Sequence, residues 1–289
     1  MFTQKFGQYV DPARAYPQIW RLILGVMLIA AIYIAIAFLV LGAALRLLDP
    51  FLLPALNQGT TISSMLLLFA SFLGGIVGPM LTVRLLHKRP IMSLLGDRTS
   101  ALHNFTVSVA TVMAIFSGLL IIWSIWFDPL PNLDLSLWLK ILPFTLIGLM
   151  VQTLAEELVF RGYLQQQLAA RFRSPLIWML LPSFGFAALH YDPSITGENT
   201  WLVIGAVGLF GLIAADLTRI TGNLGAAWGF HFANNIWAIA LLSVQGNLTG
   251  VALFVTPYSA DDGRLTALIA GDIVAMVIVW VFLRRLFLR

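Results

Sequence analysis

The chain has no cysteine, and only 10% of its 289 residues are charged. The first absence excludes disulfides, thiolate metal sites and a cysteine nucleophile. The second excludes a water-soluble fold. Soluble domains carry about 25% charged residues, and a chain this poor in charge cannot cover a globular surface. Also missing are internal repeats, low-complexity segments and a cleavable signal sequence, since the first 18 residues are polar and mixed and the first apolar run is long enough to span. What fills the sequence is apolar: 60% hydrophobic residues and a mean hydropathy of +0.91. The solvent that suits it is a lipid bilayer. The net charge of +4 and a pI near 9.7 do not indicate nucleic acid, because the basic residues flank apolar runs instead of forming a patch of their own.

A membrane-spanning helix needs about 20 mostly apolar residues. Eight apolar runs are present, at roughly 20–46, 61–86, 102–126, 137–160, 175–190, 200–217, 223–243 and 265–283, of which the fifth and sixth are short for a full crossing. Breakers separate them, as at Asp128-Pro129-Leu130-Pro131-Asn132 and Asp192-Pro193-Ser194. The expected fold is therefore all-α, a polytopic membrane helix bundle of about eight transmembrane helices forming a single domain over 1–289. Orientation follows from Lys and Arg. With the N-terminus in the cytosol and eight crossings, that side receives Lys5, Arg14, Arg21, Arg84, Lys88, Arg89, Arg98, Arg171, Arg173, Arg219, Arg284, Arg285 and Arg289. The other side receives only Arg46, Lys140 and Arg264, together with the acids Asp49, Asp128, Asp134, Asp192, Glu198, Asp261 and Asp262. This predicts a cell-membrane protein with both termini cytosolic. Two GxxxG spacings, Gly74–Gly78 and Gly225–Gly229, suit close helix contact.

Ionisable side chains inside a hydrocarbon environment are costly and by default mark function. The fourth run contains Glu156-Glu157-Leu158-Val159-Phe160-Arg161. Glu157 and Arg161 are one helical turn apart and can pair, whereas Glu156 projects about 100° away around the axis and has no partner on its own helix. An unpaired buried carboxylate is suited to general acid–base work. The fifth run ends in Phe186-Ala187-Ala188-Leu189-His190, and the seventh holds His231-Phe232-Ala233-Asn234-Asn235, where His231 and Asn235 share a face. The remaining histidines, His87 in a basic loop and His103 at a helix entrance, read as surface or interfacial. At about 1.5 Å per residue, His231, His190 and Glu157 fall at intermediate depth, predicting one polar cavity that opens toward the cytosol. Each group alone also fits a packing role; two Glu, an Arg, two His and an Asn on three helices are harder to assign to packing.

In order, EExxxR, FxxxH and HxxxN, separated by about 30 and 40 residues, resemble the membrane peptidases related to type II CAAX prenyl endopeptidase, including the bacterial branch linked to bacteriocin self-immunity (the CPBP or Abi family). The resemblance covers about 140–245. It implies an intramembrane endopeptidase acting on membrane-associated peptides or proteins. By that resemblance Glu156, helped by His190, would activate a water, His231 and Asn235 would hold the oxyanion, and Glu157 and Arg161 would position the first group. Eukaryotic relatives trim prenylated CAAX ends, but many bacterial members live in cells without such proteins, so prenylation of the substrate stays open. The expected cofactor is none. Zinc is not excluded, because two Glu and two His could ligate it, although HExxH is missing. The competing readings are a zinc peptidase using the same residues, a non-catalytic immunity or scaffold protein, and a proton-coupled transporter.

Overall fold

The computed structural model describes residues 2–47, 58–123 and 128–288; Asp49 and the last residues of the third apolar run lie outside them. Among the described residues six helices are long and apolar enough to cross a membrane. They are Ile19–Arg46, Ile62–Leu85, Arg98–Ile121, Leu135–Arg171, Pro193–Thr221 and Leu265–Leu288, joined by a shorter apolar helix, Leu176–Ala188. The chain is an all-α polytopic membrane bundle. The sixth apolar run, which looked short, belongs to a 29-residue helix: Asp192 caps a first turn at Pro193 and the helix runs on through Thr200–Thr221. The polar residues of that entry turn had hidden its length.

We label the elements α1 (Gln4–Val10), α2 (Ile19–Leu47), α3 (Ile62–Ser71), α4 (Leu73–Leu85), α5 (Arg98–Trp123), α6 (Leu135–Glu157), α7 (Gln166–Arg171), α8 (Leu181–Ala188), α9 (Pro193–Thr196), α10 (Thr200–Thr221), α11 (Gly225–Asn235) and α12 (Leu265–Leu288). Lipid-facing surface is plain from the outward apolar side chains: Phe38, Phe184, Leu189 and Trp201 are all largely exposed. In water such a belt would drive aggregation. Both GxxxG spacings mark close helix contacts. A Cβ on Gly74 would lie 2.7 Å from the Cα of Tyr33, and one on Gly78 3.2 Å from that of Ile29, so α4 rests on α2. On α11, added Cβ atoms at Gly225 and Gly229 would fall on the Ala101 and Phe105 carbonyls of α5.

The two ends of the bundle differ. One gathers the basic loop after α4, the N-terminal α1 and the α10–α11 turn. There Thr3 Oγ1 donates to the Arg219 carbonyl (2.8 Å), Tyr9 Oη to that of Leu94 (2.6 Å), and Gln166 Nε2 to that of Tyr9 (2.6 Å). His87 belongs to this end and is buried, not at the surface as the sequence suggested. Its Nε2 lies 3.0 Å from Tyr163 Oη. A basic loop reads as solvated in sequence, but this one folds back over the bundle and carries Arg89 inward with it.

Burial, followed by the nearby Arg89 and Arg171 charges, pushes the His87 imidazole down to about 4. In the unfolded chain a histidine titrates near ~6.5. The unfolded state therefore binds the proton first, and stability falls as pH drops from about 6.5 toward about 4. Thermal unfolding in detergent should show that acid-side loss, and His87→Gln should flatten it; an unchanged slope in the variant would contradict the buried neutral imidazole.

The opposite end carries a feature that an all-helical reading lacks. Three short strands, β1 (Leu130–Pro131), β2 (Leu242–Gln245) and β3 (Phe254–Ser259), form a sheet in the order β1-β3-β2, antiparallel for β1–β3 and parallel for β2–β3. Asn132 Nδ2 ties it to the Thr249 and Ala252 carbonyls at 2.8 and 2.7 Å.

Candidate active site

The two glutamates end α6, and a π-helical stretch, Leu158–Gln165, follows immediately. Such wide turns often occur at functional sites. Despite the local change, Arg161 Nη1 donates to Glu157 Oε1 at 2.8 Å, and both side chains are buried. The guanidinium also donates from Nη2 to the Gly211 carbonyl (3.2 Å) and lies 4.9 Å from the centre of the Phe186 ring. Aromatic faces and a carbonyl thus replace the water that Arg161 has lost.

α11 brings His231 between the two carboxylates. Its Nδ1 is 2.8 Å from Glu157 Oε1 and its Nε2 is 3.3 Å from Glu156 Oε2. Phe186 and Phe210 hold the ring edge-on, with centroids at 6.1 and 4.7 Å. A carboxylate oxygen accepts, so His231 donates from Nδ1 to Glu157 Oε1, while the Nε2–Glu156 contact is an approach within ion-pair distance. The absence of a partner for Glu156 on its own helix, read from the sequence, holds; the partner comes from another helix.

His190 sits in the turn just beyond α8 and not within a span, because the helix ends at Ala188 with the Leu189 amide closing back on Gly185. The one-turn relation to Phe186 survives. Nδ1 of His190 lies 2.8 Å from the Phe186 carbonyl. A carbonyl can only accept, so Nδ1 carries the proton and Nε2 keeps its lone pair. Asn235, at the end of α11, donates from Nδ2 to Gln152 Oε1 at 2.9 Å. One of its two amide protons is thereby used and the other remains.

Glu156, His190, His231 and Asn235 all line one cavity of about 860 Å³. Glu157 and Arg161 stand behind its wall. The structure thus gathers all six predicted residues, four on the cavity and two supporting it. Sequence reading missed Gln152, which lines the cavity beside Asn235; its position one turn before Glu156 was the available signal. It also missed two acids. Asp216 on α10 is bound by Arg219 (2.6 Å), by Arg284 and by Trp280 Nε1 (3.0 Å), closing α10 onto α12. Asp272 on α12 lines the cavity. Both lie inside long apolar runs, where any acid is a signal.

The cavity walls include Pro129, Leu242, Ser243, Val244, Phe254 and Thr256, at the sheet end.

Among the described residues no three His, Asp or Glu are arranged to hold a metal ion, so the site geometry does not fit zinc.

Comparison with known proteins agrees with the motifs. The uncharacterized protein YyaK of Bacillus subtilis (strain 168) is 24% identical over 256 residues, covering 84% of this chain and 85% of that protein. No solved structure matches. The model of the family described as type II CAAX prenyl endopeptidase Rce1-like matches residues 138–237, the stretch that holds Glu156, Glu157, Arg161, His190, His231 and Asn235. At the family level this supports a protease. Over residues 138–237 the chain is similar to the Rce1-like family, and that stretch contains the three short motifs.

Proposed function

We propose that this protein is an intramembrane endopeptidase that hydrolyses peptide bonds of membrane-associated substrates, with Glu156 as the base that activates water. The observation that carries the reading is the chain Glu156–His231–Glu157–Arg161 opening onto a cavity that His190 and Asn235 also line. A bundle needing only stability has no use for a carboxylate left at the cavity end of a fully buried ion pair.

In this mechanism Glu156 takes a proton from water, oriented by the lone pair on His190 Nε2, and the resulting hydroxide attacks the scissile carbonyl carbon. Negative charge collects on the carbonyl oxygen. His231 Nε2–H, its ring held by Glu157 at Nδ1, and the free amide proton of Asn235 donate to that oxyanion. Glu156 then passes its proton to the departing amine nitrogen as the C–N bond breaks. Arg161 holds Glu157 in place, so both act as positioning residues. CAAX-like prenylated peptides form one substrate class for testing. The same reading takes the chain as one domain with its motif core at about 140–245 and both termini cytosolic, and the cavity as entered from the sheet end.

The test is cleavage by purified protein of prenylated peptides and a peptide library, mapped by mass spectrometry. Asn235→Ala is expected to lower kcat by about 10²–10³ with the melting temperature little changed. Full activity in that variant would remove Asn235 from the oxyanion site. A solute or proton flux in proteoliposomes, with no cleavage, would favour a transporter instead.

A further inference from the structure

Asp272 is an intramembrane acid with no role in the mechanism above. It sits on one face of α12 with Leu265, Leu268, Ile269, Ala275 and Met276, and that whole face lines the cavity. These positions follow helical spacing, so Asp272 is a single charge in the middle of an apolar stripe. Asp216, the other acid missed in sequence reading, is neutralised by Arg219 and Arg284. Asp272 has no hydrogen-bond or ion-pair partner among the described residues. Nor does the cavity supply one, since its lining contains no Lys or Arg while holding a second carboxylate, Glu156.

Asp272 is exposed on the cavity lining, so its charge is open to whatever enters, and within a membrane-spanning helix an acid without a counter-charge is costly until something completes it. The cavity's electrostatics also choose among occupants. A peptide placing a carboxylate beside Asp272 would meet a like charge with no Lys or Arg in the lining to offset it, and like-charge juxtaposition disfavours wrong partners. A peptide with a basic side chain would satisfy Asp272 while its apolar neighbours contact Leu, Ile and Phe walls. We propose that Asp272 is a cation-recognising subsite, selecting apolar membrane segments that carry a Lys or Arg. This rests on the peptidase reading for its consequence, cleavage, but not for binding itself.

The experiment uses the full chain in nanodiscs and three apolar peptides that differ at one position: Lys, norleucine or Glu. In the wild type, kcat/KM for the Lys peptide should exceed that for norleucine by about 30-fold, the size of one desolvated charge pair. Asp272→Asn should bring the ratio near one, and Asp272→Lys should favour the Glu peptide. In parallel, fluorescence anisotropy measures binding of the same labelled peptides to Glu156→Gln, alone and combined with Asp272→Asn. Cleavage with equal rates for Lys and norleucine in the wild type overturns the subsite and leaves the peptidase standing, with no variant required. No cleavage, but Lys-selective binding lost with Asp272→Asn, keeps the subsite and removes the peptidase. A uniform loss across all three peptides in Asp272→Asn assigns Asp272 to folding or proton transfer and also overturns the proposal.

Discussion

Replacing Glu156 by Gln should abolish hydrolysis while leaving the bundle folded. The amide is nearly isosteric with the carboxylate and can keep its place beside His231 Nε2, which lies 3.3 Å from Glu156 Oε2. The substitution therefore preserves the packing of α6 against α11 and removes only the ability to take a proton. General-base catalysis contributes about 10²–10⁴-fold. The upper end is expected here, because the same carboxylate returns the proton to the leaving amine, so both halves of the reaction lose their acid–base group. Single-turnover cleavage is the measurement, with thermal unfolding as the control. Cleavage within about tenfold of wild type would falsify the assignment of Glu156 as base. A drop in melting temperature as large as the drop in activity would make Glu156 a structural residue.

The second large effect is on stability, in Arg161→Met. Glu157 and Arg161 are both buried, and Oε1 of Glu157 receives Arg161 and His231 together. Removing one partner of a buried pair leaves an uncompensated charge and typically costs about 3–5 kcal/mol. Replacing both partners by neutral groups of similar volume is often close to neutral. The double variant Glu157→Gln/Arg161→Met should accordingly recover most of the lost stability in denaturant titrations. It should not recover activity, because a neutral amide holds the His231 Nδ1–H less firmly than the carboxylate does. Stability regained with activity still depressed is the signature of positioning residues. A single Arg161→Met variant as stable as wild type would show that the ion pair carries little weight, and the support proposed for His231 would go with it.

Much of this site could be read in advance because helical spacing converts sequence distance into spatial neighbourhood. Glu157 and Arg161 at i and i+4 pair as expected, and Phe186 and His190 keep their one-turn contact even though α8 ends between them. GxxxG spacings marked where α4 meets α2 and α11 meets α5, since only glycine lets two backbones come that close. Failures came where local pattern and tertiary position separate. His87 sits in a basic loop yet is buried against Tyr163, because the loop folds inward over the bundle. Asp216 and Asp272 look alike in sequence, each a single acid in an apolar run; one is fully paired and the other is not.

Composition alone determined that this chain is a helical membrane protein, because a segment surrounded by lipid must satisfy its backbone internally and carry apolar side chains outward. Motif order determined which six residues to watch. Which carboxylate the imidazole meets, that His231 joins both glutamates, and on which end the cavity gathers its walls were decided by tertiary structure. The reason is geometric: spacing within a helix specifies a face, but the face it meets depends on how separate helices rotate and shift against one another. That is set by the sum of many small packing contacts along their whole lengths.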